Sequence, residues 1–161
     1  MLKQIRIEKW LIEVDIDKTR EFYNKDMEVC NCLYCKNYLD ATKFFNPTVN
    51  DIFEKFGINP LKPAHLSQFP TDIKSRHLYL GNYYFVGRVL EGKLCSNSNF
   101  NKMNTIEIEN LIFGFSEELD FLPEGLPEPV LQISFEVDIP WILKDSPEDL
   151  VKIKIDYRKD R

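Results

Sequence analysis

No run in this chain approaches the roughly 18 consecutive apolar residues that cross a bilayer. The N-terminal stretch MLKQIRIEKW carries charge throughout and never builds the apolar segment of a secretory leader. The expected location is therefore the cytoplasm, with no membrane contact. Glycine-rich phosphate loops, Walker-type lysines and His-Glu-x-x-His zinc helices are also missing. Histidine occurs only twice and glycine six times in 161 residues. That leaves little with which to assemble a histidine-based catalytic dyad or a glycine-rich oxyanion loop. Basic side chains are in deficit, 21 against 26 acidic, and the net charge of -5 works against nucleic acid and anionic lipid.

What is present is 43% hydrophobic and 13% aromatic content, enough for one domain spanning residues 1–161 that buries roughly two thirds of its unfolded surface. Such a chain needs neither disulfide nor metal to fold. Three of its four cysteines nevertheless fall within six residues, in EVCNCLYCKNY. In a reducing compartment Cys30, Cys32 and Cys35 are thiols or metal ligands rather than disulfides. Zinc takes about four sulfur or nitrogen donors, and Cys-x-Cys-x-x-Cys running from a loop into a helix supplies three. His65 is the fourth ligand proposed from sequence, with Cys95 and His77 as distant alternatives. Two other readings stay open. Cys32 and Cys35 bracket two residues as a redox pair does, though no strand precedes them as in thioredoxin-like motifs. All three can also be small buried hydrophobes.

Periodicity gives the architecture. IRIEKWLIEVDI alternates but changes phase midway, which predicts either a bulge near Glu8 and Lys9 or two short strands. Residues 17–34 show no period and read as loop. From Cys35 the spacing of Tyr38, Ala41 and Phe45 is helical until Asn46-Pro47. A second helix follows, with Thr48 as cap, Val49, Ile52, Phe53 and Phe56 as apolar stripe, and Gly57 as terminator. Four of the nine prolines lie between 47 and 70, so INPLKPAHLSQFPTD reads as rigid and irregular. RHLYLGNYYFVGRVL, TIEIENLIFGF and LQISFEVDIPWIL read as strands, the second with a phase slip near Asn110. The third turns Leu131, Ile133, Phe135, Val137, Ile139 and Trp141 inward and leaves Gln132, Ser134, Glu136 and Asp138 wet. A helical turn from Ser146 and an edge strand over 151–157 complete the pattern. The fold class is α+β, a mostly antiparallel sheet with two helices in the N-terminal third.

Four phrases, YCKNYLDA at 34–41, FGINPLKPA at 56–64, YYFVG at 83–87 and IPWIL at 139–143, together resemble a family of small uncharacterised bacterial proteins. The resemblance covers most of the chain in the same order. It implies one shared architecture and carries no activity with it.

Other candidates compete with plainer explanations. LGNYYFVGRVL is similar to the aromatic strand of an RNA-recognition domain, but Leu80 stands where a basic residue should open it, and buried ring packing is preferred. Asp15 with Asp17, and Glu136 with Asp138, are pairs that strand alternation alone produces. The segment EELDFLPEGLPEPV sets Phe121, Leu122 and Leu126 among Glu118, Asp120 and further carboxylates. It would suit a protein partner with a basic surface, apolar anchors holding it and charges speeding encounter. The same residues can instead fold back onto the sheet. On sequence alone the leading function is a non-catalytic protein-binding module, inhibitor or immunity-like. The alternative is a zinc-dependent factor or enzyme centred on the cysteines, and a third reading is small-ligand binding on an exposed sheet face.

Overall fold

The change of phase in the first segment is a reversal of the chain. In the computed structural model, which describes residues 2–73 and 75–145, β1 (Leu2–Ile7) and β2 (Trp10–Asp15) form a hairpin that pairs Ile7 with Trp10. Glu8 adopts a φ of 46° in its tight turn. Two strands, not a bulge, account for the slip. A second two-residue reversal explains the slip near Asn110, where Glu109 has a φ of 55° between paired Ile108 and Leu111.

The expected loop over 17–34 needs correction, because Ile16–Tyr23 is a helix, α1. Asp15 caps it by accepting the Lys18 amide at 3.1 Å. Only Thr19, Phe22 and Tyr23 are buried along its eight residues, too few to show a period. After an irregular stretch come α2 (Leu33–Ala41), a 3-10 turn (Thr42–Phe44) and α3 (Pro47–Phe56). The cap of α3 is Asn46 instead of Thr48. Its side chain accepts the Thr48 amide at 2.8 Å, and Pro47 fills the first helical position, where no N–H is needed. Gly57 ends α3 with φ +80°, and a side chain there would come within 2.8 Å of the Ile16 carbonyl oxygen. Among the described residues there are thus three α-helices, all between residues 16 and 56, where two were expected.

The remaining strands are β3 (His65–Pro70), β4 (Arg76–Glu91), β5 (Ile106–Ile108), β6 (Leu111–Ser116) and β7 (Val130–Pro140). Every pairing is antiparallel, in the order β1-β2-β4-β7-β6-β5 with β3 beside β4. The fold is therefore α+β and dominated by its sheet. β3 replaces the irregular crossing expected there, its Pro70 tolerated at the end of an edge strand. The helical turn expected from Ser146 and the strand expected over 151–157 lie outside the described residues. No helix among the described residues is long and apolar enough to cross a membrane.

One sheet face packs on the helices through aromatic rings. Tyr38 stacks on Phe135 at 5.8 Å, Phe53 meets Tyr83 at 4.8 Å, and Phe56 lies parallel to Phe85 at 4.8 Å. Tyr83 donates to the Pro60 carbonyl at 2.7 Å, so in its 2.7 Å bond with Tyr38 the Tyr38 hydroxyl is the donor. The opposite face is less wet than expected. Gln132 is 2% exposed, accepting the Tyr84 hydroxyl at 2.7 Å and donating to Ser134 at 2.6 Å, because the chain after β4 and the segment between β6 and β7 fold over it.

β4 has 16 residues and shares one edge between two neighbours, β3 as far as Asn82 and β2 from Gly87. Side chains of α1 occupy the gap between them. The Tyr23 hydroxyl donates to the Tyr84 carbonyl at 2.7 Å and accepts its amide at 3.2 Å. Thr19 accepts the Val86 amide at 2.9 Å. Tyr23→Phe keeps the ring but strands a buried amide and carbonyl, so it is expected to cost about 1–3 kcal/mol. Urea denaturation followed by circular dichroism measures this, and an unmoved midpoint would contradict the assigned role.

Candidate metal site

The first turn of α2 is fixed by contacts that run the length of the chain. Buried Asn37 donates to the Pro140 carbonyl at 3.2 Å and accepts the Ile142 amide at 2.8 Å. Tyr79 donates its hydroxyl to the Tyr34 carbonyl at 2.7 Å. The Tyr34 ring meets Trp141 edge-on at 5.8 Å and lies 6.2 Å from His77. The phrases YCKNYLDA and IPWIL, more than a hundred positions apart, are therefore in direct contact.

This anchored turn carries the cysteines. Cys32 is the N-cap of α2 and Cys35 lies in its first turn, while Cys30 precedes them in irregular chain. Their three sulfurs lie within 4.8 Å of one another. Cys30 and Cys32 are exposed and Cys35 is buried; all four cysteines of the chain are free thiols. Cys32 makes no side-chain capping bond, although its position favours Ser, Thr, Asn or Asp. The Cys32 amide, with the neighbouring thiols, holds the Cys30 thiol below the usual range. Burial, reinforced by the same neighbours, pushes the Cys35 thiol well up. No acidic residue sits in the first turn of α2, so the positive end of the helix favours negative sulfur there.

All three cysteines line a cavity of about 470 Å³ whose far wall includes Leu66 and Gln68 of β3 and Tyr79 of β4. No local pattern in the sequence marks these wall residues. They arrive through the β3–β4 pairing, in which Gln68 faces Tyr79.

His65 does not join the sulfurs. It borders the same cavity at the sheet edge, but strand alternation turns its ring to the face away from α2. There its Nε2 bonds Ser67 Oγ at 3.0 Å and its ring stacks on Phe121 at 3.9 Å and 4°. Cys95 is buried behind β6, its sulfur 2.9 Å from where a Gly114 side chain would begin. His77 is on the helix face, beside Tyr34. Its Nδ1 accepts the Gln68 amide, which places the ring proton of the neutral form on Nε2. That buried Nε2 has no hydrogen-bond partner among the described residues.

The acidic segment joins β6 to β7 as expected and is tied down at several points. The Phe121 amide donates to the Tyr84 hydroxyl at 3.1 Å, Leu126 packs on the core, and Glu118 accepts the Asn97 amide at 2.7 Å. Asp120 takes a longer bond, 3.4 Å, from the Asn97 side chain, and Leu122 is half-buried. Phe121 stays 44% exposed and, with His65, walls a cleft of about 260 Å³ that also reaches Asn82, Phe100 and Glu136. No protein-family model, curated protein or solved structure matches the chain.

Burial holds the His77 pKa below its ordinary value of 6.5. Its contribution to stability is therefore complete above about pH 6.5 and is lost as pH falls from there through the folded pKa, with a slope of up to about 1.4 kcal/mol per unit. Denaturation midpoints measured from pH 7.5 to 5 are expected to fall, and His77→Gln to flatten that slope. An equal slope in the variant would assign the acid sensitivity elsewhere.

Proposed function

We propose that this chain binds zinc through the thiolates of Cys30, Cys32 and Cys35. The observation that carries this reading is the mutual approach of the three sulfurs within 4.8 Å. A zinc–sulfur bond of about 2.3 Å in tetrahedral geometry separates sulfurs by about 3.8 Å, so a contraction of an ångström or less gathers them around one ion. Packing is a poor account of Cys30 and Cys32, because both are exposed. A Cys32–Cys35 redox pair would leave the sulfur of Cys30, gathered with theirs, without a role.

The position of Cys32 supplies a clean test. Serine caps helices well, so Cys32→Ser should leave the metal-free protein as stable or more stable, by about 0.5–1 kcal/mol. Zinc affinity, read by competition with a chromophoric chelator, should fall by more than about 100-fold, beyond the effect of losing an outer-shell contact. Retained affinity would remove Cys32 from the ligand set. Each thiol must lose its proton to coordinate, and the Cys35 thiol is held protonated by burial. Wild-type affinity is therefore expected to rise at least about tenfold per pH unit between about pH 6 and 8.

A second reading, recognition of a basic protein, is supported by Leu119 and Phe121, each 44% exposed beside Glu117, Glu118 and Asp120. Replacing Phe121 and Leu122 with alanine is expected to weaken such a complex, measured calorimetrically with a captured basic partner, while circular dichroism stays unchanged. An unaltered affinity would place recognition elsewhere.

A further inference from the structure

We propose that the fourth donor at the three-cysteine site is a sulfur from outside the chain, a thiol that enters the cavity and binds as its thiolate. The inference rests on the metal reading above and adds what the site takes.

The chain has four cysteines and two histidines, and beyond the trio each is committed elsewhere. Cys95 is buried against Gly114 on the far side of the sheet, and burial raises its pKa to about 11. His65 is stacked on Phe121 and bonded to Ser67 on that same far face. His77 spends Nδ1 on Gln68 and carries its proton on Nε2. Tyr79, at the cavity wall, gives its hydroxyl proton to the Tyr34 carbonyl. Among the described residues the remaining charged donor on the wall is Glu28, an exposed carboxylate, and hard oxygen is a poor match for a centre already held by three soft thiolates.

The cavity indicates what enters. Its volume of about 470 Å³ far exceeds the roughly 30 Å³ share of a single water, so it accommodates an organic ligand. Val29, Pro63, Ala64 and Leu66 give it apolar wall, and among the described residues no lysine or arginine lines it. A phosphate or carboxylate ligand would therefore find no basic side chain among those residues to bind its remaining charge. A small neutral thiol needs no counter-charge beyond the metal and the α2 N-terminus. On entry its S–H proton passes to solvent, its sulfur displaces the water at the fourth position, and no oxidation state changes.

The test uses the full chain, prepared without thiol reductants and loaded with cobalt(II), whose thiolate charge-transfer absorption counts sulfur ligands. Adding 2-mercaptoethanol is expected to raise that absorption by about a third, from three thiolates to four, in a saturable way that ethylene glycol does not reproduce. N-acetylcysteinamide provides the second arm. Tighter binding of 2-mercaptoethanol assigns the sulfur to a free small thiol, and tighter binding of N-acetylcysteinamide assigns it to a cysteine of a partner protein. A spectrum unmoved by either thiol would overturn the proposal while leaving the metal site intact. In that case loss of tetrahedral bands in His77→Gln or Glu28→Gln would identify an internal donor. Absence of any charge-transfer band with cobalt alone would overturn the metal reading, and this inference with it.

Discussion

Every backbone amide and carbonyl along β4 has to find a partner, and one edge of that strand finds three kinds. β3 serves the first part, β2 the last, and the side chains of Tyr23 and Thr19 serve the break between them. An unpaired buried amide is costly enough that the break cannot stand open. α1 must therefore lie against it, with Gly57 allowing α3 to close over α1. Lys62 reinforces this by donating to the carbonyl of Tyr23, the last residue of α1, at 2.6 Å, and to that of Lys25 just beyond it at 3.0 Å.

The cysteine site follows from the same layout. Once α1 and α3 occupy the middle of the sheet, α2 is left over the ends of β4 and β7, where Tyr38 and Asn37 hold it. Its N-terminus then looks out past the edge strand β3. Among the described residues Cys30 and Cys32 are exposed there, while Cys35 is buried toward the core. A thiol pushed up by burial beside one held down by an amide is an uneven set, and a metal ion would level it by taking all three as thiolates.

Strand content and the inward face of β7 were legible in the sequence because alternation is local. So were the apolar stripe of α3 and its glycine stop. α1 was not legible, since eight residues with three buried side chains carry no stripe, and its place is fixed by a gap in a strand sixty positions away. β3 was hidden by Pro70 at its end and by Pro60 and Pro63 just before it. The cysteine trio could be read directly, but the placement of His65 relative to it could not. Whether His65 approaches the sulfurs depends on which face of β3 it occupies, and only the pairing of His65 with Asn82 decides that. Gln132 reads as a solvent-facing residue until the segment bearing Phe121 folds over it.

The divided edge of β4 also governs how fast the chain can reach this state. The hairpins β1–β2 and β5–β6 join near neighbours and form on the microsecond scale. Val14, however, pairs with Gly87, 73 positions later, and all three helices lie between them. Closing so long a loop has an entropic cost that must be met before the pairing gives any return. The bonds from Tyr23 and Thr19 reach β4 from the near end of that loop, so forming them early shortens the search that β2 has left to make. Native interactions of this kind, made before the long loop closes, act on the rate of folding.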